Sequence, residues 1–300
     1  MLRKISATQL GEFASRSFSK TNSSLTGEVT ASFQNSFYIR TLEDELLFVT
    51  NGTLGSPVTV NVVTTSSFEE LAPANSTVMV RENQLLVGST AISLATARRY
   101  KNETEPFPSK LGASHSTLGR VGFILGILDV NSSVLDPNGI SHHQCETFAR
   151  EAAVPLRKSL DHEHLVRHAS ELIGLGTGFT PSGDDFLGGF LATWNSLAGI
   201  VGRSKIRLNF ELLTNRTSWI SAKLLDYMQR GLLDSQAAHA IHSSVLGDED
   251  EFVSAVEALL PRGHTSGVDI ATGITVATSL IVDIANNTRL TENLLNQLGL

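Results

Sequence analysis

Cysteine is almost missing from this sequence. Cys145 stands alone, which excludes an intrachain disulfide and a thiolate zinc site. A lone thiol reads first as a small apolar core residue and only then as a nucleophile. Basic charge is in deficit: 23 Lys and Arg against 30 Asp and Glu leave a net charge of −7. No basic stripe offers to neutralise a phosphate backbone, so nucleic acid is not an expected partner. Long apolar runs are lacking too. The stretch from Val268 to Ala285 is interrupted by Asp269 and Asp283, which argues against a membrane span. The opening Met1-Leu2-Arg3-Lys4-Ile5 is not followed by the apolar segment of a signal peptide. The expectation is a soluble, cytoplasmic protein with no membrane partner. Low-complexity segments are absent, and 41% apolar with 18% charged residues is an ordinary globular composition.

What is present falls into two halves. From about residue 25 to about 90, short apolar runs such as Phe37-Tyr38-Ile39, Leu46 to Val49 and Leu85-Leu86-Val87 are separated by turn residues, among them Asn51-Gly52, Pro73 and Asn83. Val58, Val60 and Val62 alternate with polar residues, the period of a half-buried strand. The segment from Ala91 to Tyr100 fits a strand or a helix. Beyond it, helical spacing dominates: Cys145 to Leu156, Asp161 to Ile173, Pro181 to Leu197, Trp219 to Leu233, Ser235 to Leu246, Glu251 to Leu260 and Gly267 to Ala285. Leu111 to Leu128 reads as a further helix carrying glycines. The expected class is α+β. A small β-sandwich or barrel-like domain over residues 1–105 precedes a mainly helical domain over 106–300.

One stretch organises the helical half. Gly174-Leu175-Gly176-Thr177-Gly178-Phe179-Thr180-Pro181-Ser182-Gly183-Asp184-Asp185 leads into an apolar helix. Glycines let main-chain N–H groups approach a ligand, and a helix N-terminus favours an anion. Neither the Rossmann nor the Walker pattern fits, since a helical pattern precedes the glycines and no Lys-Ser or Lys-Thr follows. A plainer reading lets Gly174 end one helix and leaves the rest as loop. A second copy lies 84 residues downstream (182 to 266): Ser182-Gly183-x-Asp185-Phe186-x-x-Gly189 matches Ser266-Gly267-x-Asp269-Ile270-x-x-Gly273. The preceding helices match as well, Leu165, Val166, Ala169, Leu172 and Ile173 answering Phe252, Val253, Val256, Leu259 and Leu260. Two helix–loop–helix units, with loops at 174–185 and 261–269, form a pseudo-repeat. Their glycine-bearing helices should pack together through a stripe of Gly189, Ala192, Ser196 and Gly199, since an interior glycine otherwise costs a helix up to ~1 kcal/mol.

The candidates for chemistry follow from the repeat. Asp185 and Asp269 are shared, and Ser182-x-x-Asp185 and Ser266-x-x-Asp269 fit capping boxes, so these carboxylates read as structural or metal-supporting. Asp184 is matched by Val268, which makes it the freer candidate. Beside an anion loop it could hold a Mg²⁺ that bridges to a phosphate. His264, before the second helix, is expected neutral and able to orient substrate or exchange a proton. His239 and His242 lack the glutamate of a zinc-protease motif, while His162, His164 and His168 read as solvated. Arg262 could supply charge to an anionic substrate.

These residues, Gly-Leu-Gly-Thr-Gly-Phe-Thr-Pro-Ser-Gly-Asp-Asp-Phe-Leu-Gly-Gly and then Gly-His-Thr-Ser-Gly-Val-Asp, closely resemble the AllH-type family. Thr177 and Phe179 depart from it where proline and leucine are the more usual residues. The resemblance implies nitrogen metabolism. Some relatives accompany two partner proteins, one of them similar to an acyl-CoA synthetase subunit, in the oxamate carbamoyltransferase of allantoin breakdown, which exchanges a carbamoyl group between oxalurate and phosphate. On that footing the chain is a subunit of a carbamoyl- or acyl-transfer enzyme, binding a small anionic substrate and partner subunits. Gly176, Gly178 and Gly183 would offer N–H groups, with Thr180 and Ser182 adding hydroxyls. Thr265, Ser266 and Gly267 would do the same in the second copy, and Asp184 with His264 would position the reacting group. A homo-oligomer is a further expected form, and the competing expectation is a non-catalytic anion-binding or scaffold protein whose glycines serve helix packing alone.

Overall fold

The computed structural model describes residues 2–20, 26–101, 144, 147–154, 162–246, 249–263 and 265–297. The chain divides into two compact units, Met1–Glu103 and Thr104–Leu300.

The first unit is an eight-stranded barrel. Its strands are β1 (Arg3–Gly11), β2 (Gly27–Ser32), β3 (Ser36–Thr41), β4 (Leu46–Asn51), β5 (Thr59–Val62), β6 (Thr77–Arg81), β7 (Gln84–Val87) and β8 (Thr90–Ser93), with β9 (Arg98–Tyr100) continuing along β1. Helices α1 (Glu12–Lys20) and α2 (Phe68–Leu71) interrupt them. The sheet runs β5-β4-β3-β2-β6-β7-β8-β1, and β1 closes it by pairing β8 in parallel on one edge and β5 antiparallel on the other. Closure gives each of β1 to β8 a partner on both sides and so removes the exposed edges of an open sheet. Alternation fills the inside: Phe37 and Ile39 are fully buried while Arg40 faces solvent. Glu82 and Asn83, at φ 48° and 60°, form the two-residue turn between β6 and β7, the left-handed geometry such hairpins need. The segment that could have been strand or helix is strand, as β8 and β9.

The second unit is helical. After a π-helical turn (Phe148–Ala153) come α3 (His162–Leu172), α4 (Ser182–Leu197), α5 (Phe210–Thr214), α6 (Trp219–Gln229), α7 (Ser235–Leu246), α8 (Glu249–Leu259), α9 (Ser266–Asn286) and α10 (Leu290–Gln297). The glycine-bearing stretch from Leu111 to Leu128 lies outside the described residues, as does Cys145.

Helices α4 and α9 form the centre, and they meet backbone to backbone. A Cβ added at Gly189 would lie 2.2 Å from the carbonyl oxygen of Ile270. One at Gly273 would lie 2.1 Å from that of Phe186. Each contact is the other's image under the 84-residue repeat. The symmetry extends to the loops: a Cβ at Gly183 would lie 2.0 Å from Leu172 O, and one at Gly267 1.9 Å from Leu259 O. The pseudo-repeat is therefore real in three dimensions, and its glycines exist at crossings no side chain could occupy. The expected stripe is shorter than the sequence suggested, because Gly199 has nothing within 4 Å of its added Cβ.

Helix α9 is the one described helix long and apolar enough to cross a membrane by composition, but 89% of its apolar window is buried in the protein. Its buried Thr272, Thr275 and Ser279 donate back to the carbonyls of Val268, Ala271 and Val276. That local bonding lets hydroxyls sit in a core without an orphaned donor. At its far end Asp283 accepts from the Leu290 and Thr291 N–H groups, which caps α10.

Candidate functional site

The two repeat loops deliver the N-termini of α4 and α9 to one place. Gly174, at φ 80°, ends α3, and a Cβ there would lie 2.1 Å from Arg216 O, so the plain reading of this glycine holds. Gly176 and Gly178 follow at φ 103° and 110° in an exposed loop that carries Phe179 at its tip. The chain then turns inward through Thr180 and Pro181. Across the junction, Thr180 Oγ1 lies 3.2 Å from Ser266 Oγ, and Ser182 Oγ 3.4 Å from Thr265 Oγ1. Four hydroxyls, two from each loop, thus interleave across the junction.

The capping boxes are corrected by this geometry. Pro181 and Thr265 occupy the cap positions and neither caps through its side chain, while Ser182 and Ser266 sit one residue inside. Proline at the cap leaves Ser182 in the first turn, where its hydroxyl lies 3.4 Å from Thr265 of the other copy. Asp185 accordingly takes a hydrogen bond from Thr180 Oγ1 at 2.9 Å, and Thr180 Oγ1 in turn lies 3.2 Å from Ser266 Oγ of the other copy. Gly183 N–H donates to Leu175 O at 2.9 Å and Gly267 N–H to Arg262 O at 3.0 Å. Those two N–H groups are engaged by the protein, unlike the ligand-facing role expected of them.

Asp184 is only 3% exposed. Its Oδ1 accepts from Gly174 N–H at 2.8 Å, and its Oδ2 from Thr217 Oγ1 at 2.5 Å and Ser221 Oγ at 2.6 Å. It ties the end of α3 to the start of α6. Burial pushes its pKa up, against the pull of Ser221, Thr217 and Gly174. Three of the carboxylate's four acceptor positions are taken by protein donors, which makes Asp184 a poor Mg²⁺ ligand here. Thr217 and Ser221 were invisible as partners in the sequence, being 33 and 37 residues away. The one available hint was that Val268 replaces Asp184 in the second copy, so its role had to be particular to the first. Ser221→Ala is expected to cost about 1–3 kcal/mol in urea unfolding through the lost donor. An unchanged midpoint would mean Asp184 is not the tie described.

The shared pair carries the stronger electrostatic signature. Asp185 is 7% exposed and Asp269 fully buried. Burial pushes the Asp185 carboxyl up to about 7, with Thr180 and Ser266 lowering it, Asp269 raising it and Arg262 lowering it. Arg262 is itself held by Asp234, which also caps α7 through the N–H groups of Gln236 and Ala237. Because the folded state holds the Asp185 proton more tightly than the unfolded chain does, the associated stability is complete below about pH 4 and is lost as pH rises through about 7. Asp184 shifts in the same direction. Melting temperature should therefore fall across that window, and Asp185→Asn should flatten the fall. A profile equally steep in the variant would refute the assignment.

The remaining histidines divide. His264 lies outside the described residues. His168 is buried rather than solvated, with Nε2 3.9 Å from Glu151 and Nδ1 3.8 Å from Glu171. His239 faces Glu251 at 3.8 Å. Among the described residues no group of three or more His, Cys, Asp or Glu side chains could hold a metal ion.

An α4–α9 pair with interleaved loop hydroxyls and two buried carboxyls defines a doubled helix-terminus site. Residues 172–278, which run from the end of α3 into α9, match the family model described as oxamate carbamoyltransferase subunit AllH. The resemblance read from the two loops and the family match fall on the same residues. No solved structure matches the chain.

Proposed function

We propose that this protein is a subunit of a carbamoyl-transfer enzyme, working in the cytoplasm with partner subunits on a small anionic substrate. The observation that carries this reading is the coincidence of the AllH match with the doubled site, since the matched residues begin at the first loop and include the second. Attack on a carbamoyl carbon builds negative charge on its oxygen, and preorganised donors stabilise that charge. In this reading the exposed Gly176 and Gly178 N–H groups and the half-buried Thr180 and Thr265 hydroxyls meet the anion. Ser182, Ser266 and Asp185 lie behind them and hold the hydroxyls in place. Asp184 fixes the loop from beneath, Asp269 raises the pKa of Asp185, and Gly183 and Gly267 allow the close turns. His264 keeps the role that the resemblance implies, positioning the reacting group with Asp184.

The test is reconstitution. The chain and its partner subunits would be combined and assayed for carbamoyl transfer between oxalurate and phosphate. Activity is expected only with the chain present, and Thr180→Val should reduce it at least tenfold while leaving assembly intact. Full activity without the chain would reject the reading. The competing scaffold reading has its own support, because Gly183, Gly189, Gly267 and Gly273 all serve close packing. It predicts that Thr180→Val leaves turnover unchanged.

A further inference from the structure

Two histidines on α3 that read as solvated in the sequence face each other in the structure. His164 and His168 stand one turn apart, and their rings meet edge to face with centroids 4.6 Å apart. Nη2 of Arg167 lies 3.4 Å from His164 Nδ1 and 3.4 Å from His168 Nε2. A guanidinium only donates, so both ring nitrogens present lone pairs, and both lone pairs are aimed at one point. The far side of each ring agrees. His164 Nε2 lies 2.9 Å from the main-chain oxygen of Glu151, on the π-helical turn, and must donate to it. His168 Nδ1 then carries the remaining proton. It is buried without a hydrogen-bond partner, and the Glu171 carboxylate stands 3.8 Å away.

Neutral imidazoles that converge on one position, each with its second nitrogen turned to a carbonyl or a carboxylate, are the arrangement by which histidines hold a transition metal. The spacing, His164-Leu165-Val166-Arg167-His168, sets the pair on one helical face as such ligands require. A cation already fills the position, in the form of the arginine. Arg167 is exposed, so its side chain is free to swing into solvent. Glu151 Oε2, 3.9 Å from His168 Nε2, then supplies compensating negative charge. We propose that His164 and His168 chelate a divalent transition-metal ion of the zinc class in the place where Arg167 rests. Imidazole ligands suit zinc, nickel and copper, whereas magnesium and calcium take oxygen. No third His, Cys, Asp or Glu among the described residues completes a set, so water fills the remaining positions. The ion would stiffen α3 against the π-helical turn, and α3 is the helix that runs into the first loop. This site stands independently of the carbamoyl-transfer reading.

Calorimetric titration of the full chain with Zn²⁺ tests it, with the visible absorption of Co²⁺ as a reporter of imidazole coordination. A saturable site is expected, lost in His164→Gln and in His168→Gln. Arg167→Met, which withdraws the competing cation, should tighten binding several-fold, a gain that a packing role for the histidines does not produce. His239→Gln alters an exposed histidine on α7 and should change nothing. If His168→Gln fails to fold, the half-buried His164 and the exposed Arg167 decide the matter. Absence of Zn²⁺ binding, binding that survives His164→Gln, binding not tightened in Arg167→Met, or an equal loss in His239→Gln would overturn the proposal.

Discussion

Gly189→Ala is expected to destabilise the helical unit by about 3 kcal/mol or more, at or above the upper end of what overpacking usually costs. The new methyl would stand 2.2 Å from a main-chain oxygen, that of Ile270. A side chain can rotate away from an intruder, but a carbonyl inside a helix cannot, so α4 and α9 would have to separate. Gly273→Ala should cost about as much, because Phe186 O meets it at 2.1 Å. The double variant is the sharper test. Either substitution alone forces the separation that relieves the other, so the combined cost should fall well short of the sum, as is usual for coupled neighbours. Gly199→Ala is the control, with open space around the added atom. Urea unfolding followed through the fluorescence of buried Trp194 would report all four. Equal midpoints for Gly189→Ala and Gly199→Ala would mean that the crossing is looser than described.

Asp184→Ala should be the next largest loss, again about 3 kcal/mol or more. It strands the Gly174 N–H and two hydroxyls, and each buried group left without its partner costs about 1–3 kcal/mol. The hydroxyls can turn towards other acceptors, which limits the total; the main-chain N–H cannot. Asp184→Asn keeps the shape and an acceptor and should lose less. Reading stability and turnover together distinguishes anchor from reacting group. An anchor loses folding free energy while the folded fraction keeps its turnover. A melting temperature unchanged in Asp184→Asn, with turnover abolished, would instead return this residue to the chemistry.

The sequence made the second unit legible because helical spacing and the repeat reinforce each other. Ser235 to Leu246 and Pro181 to Leu197 coincide with α7 and α4 to within a residue. The barrel was harder. Strand β1 is not legible in the sequence, because Arg3–Gly11 carries few apolar residues and alternates weakly, yet it is the strand that closes the sheet. Choosing between sandwich and barrel depended on the element with the faintest signal. In the site, the repeat correctly brought the two loops together, but no periodicity could reveal that each serine serves the opposite helix. The exchange follows from Pro181 and Thr265 taking the cap positions, a shift of one residue that changes which partner a short hydroxyl can reach. The asymmetry of the repeat singles out Asp184, but the three donors that engage it are not legible in the sequence because they lie 10, 33 and 37 residues away.

The reciprocal crossing of α4 and α9 bears on association as well as stability. Each helix offers the other a face that is nearly a copy of its own, so the junction is self-complementary in the way a two-fold dimer interface is. Were α9 displaced or cut away, the glycine face of α4 would be bare, and the α4 face of a second chain would match it. Damage at the C-terminal half would then appear as α4-to-α4 pairing between chains.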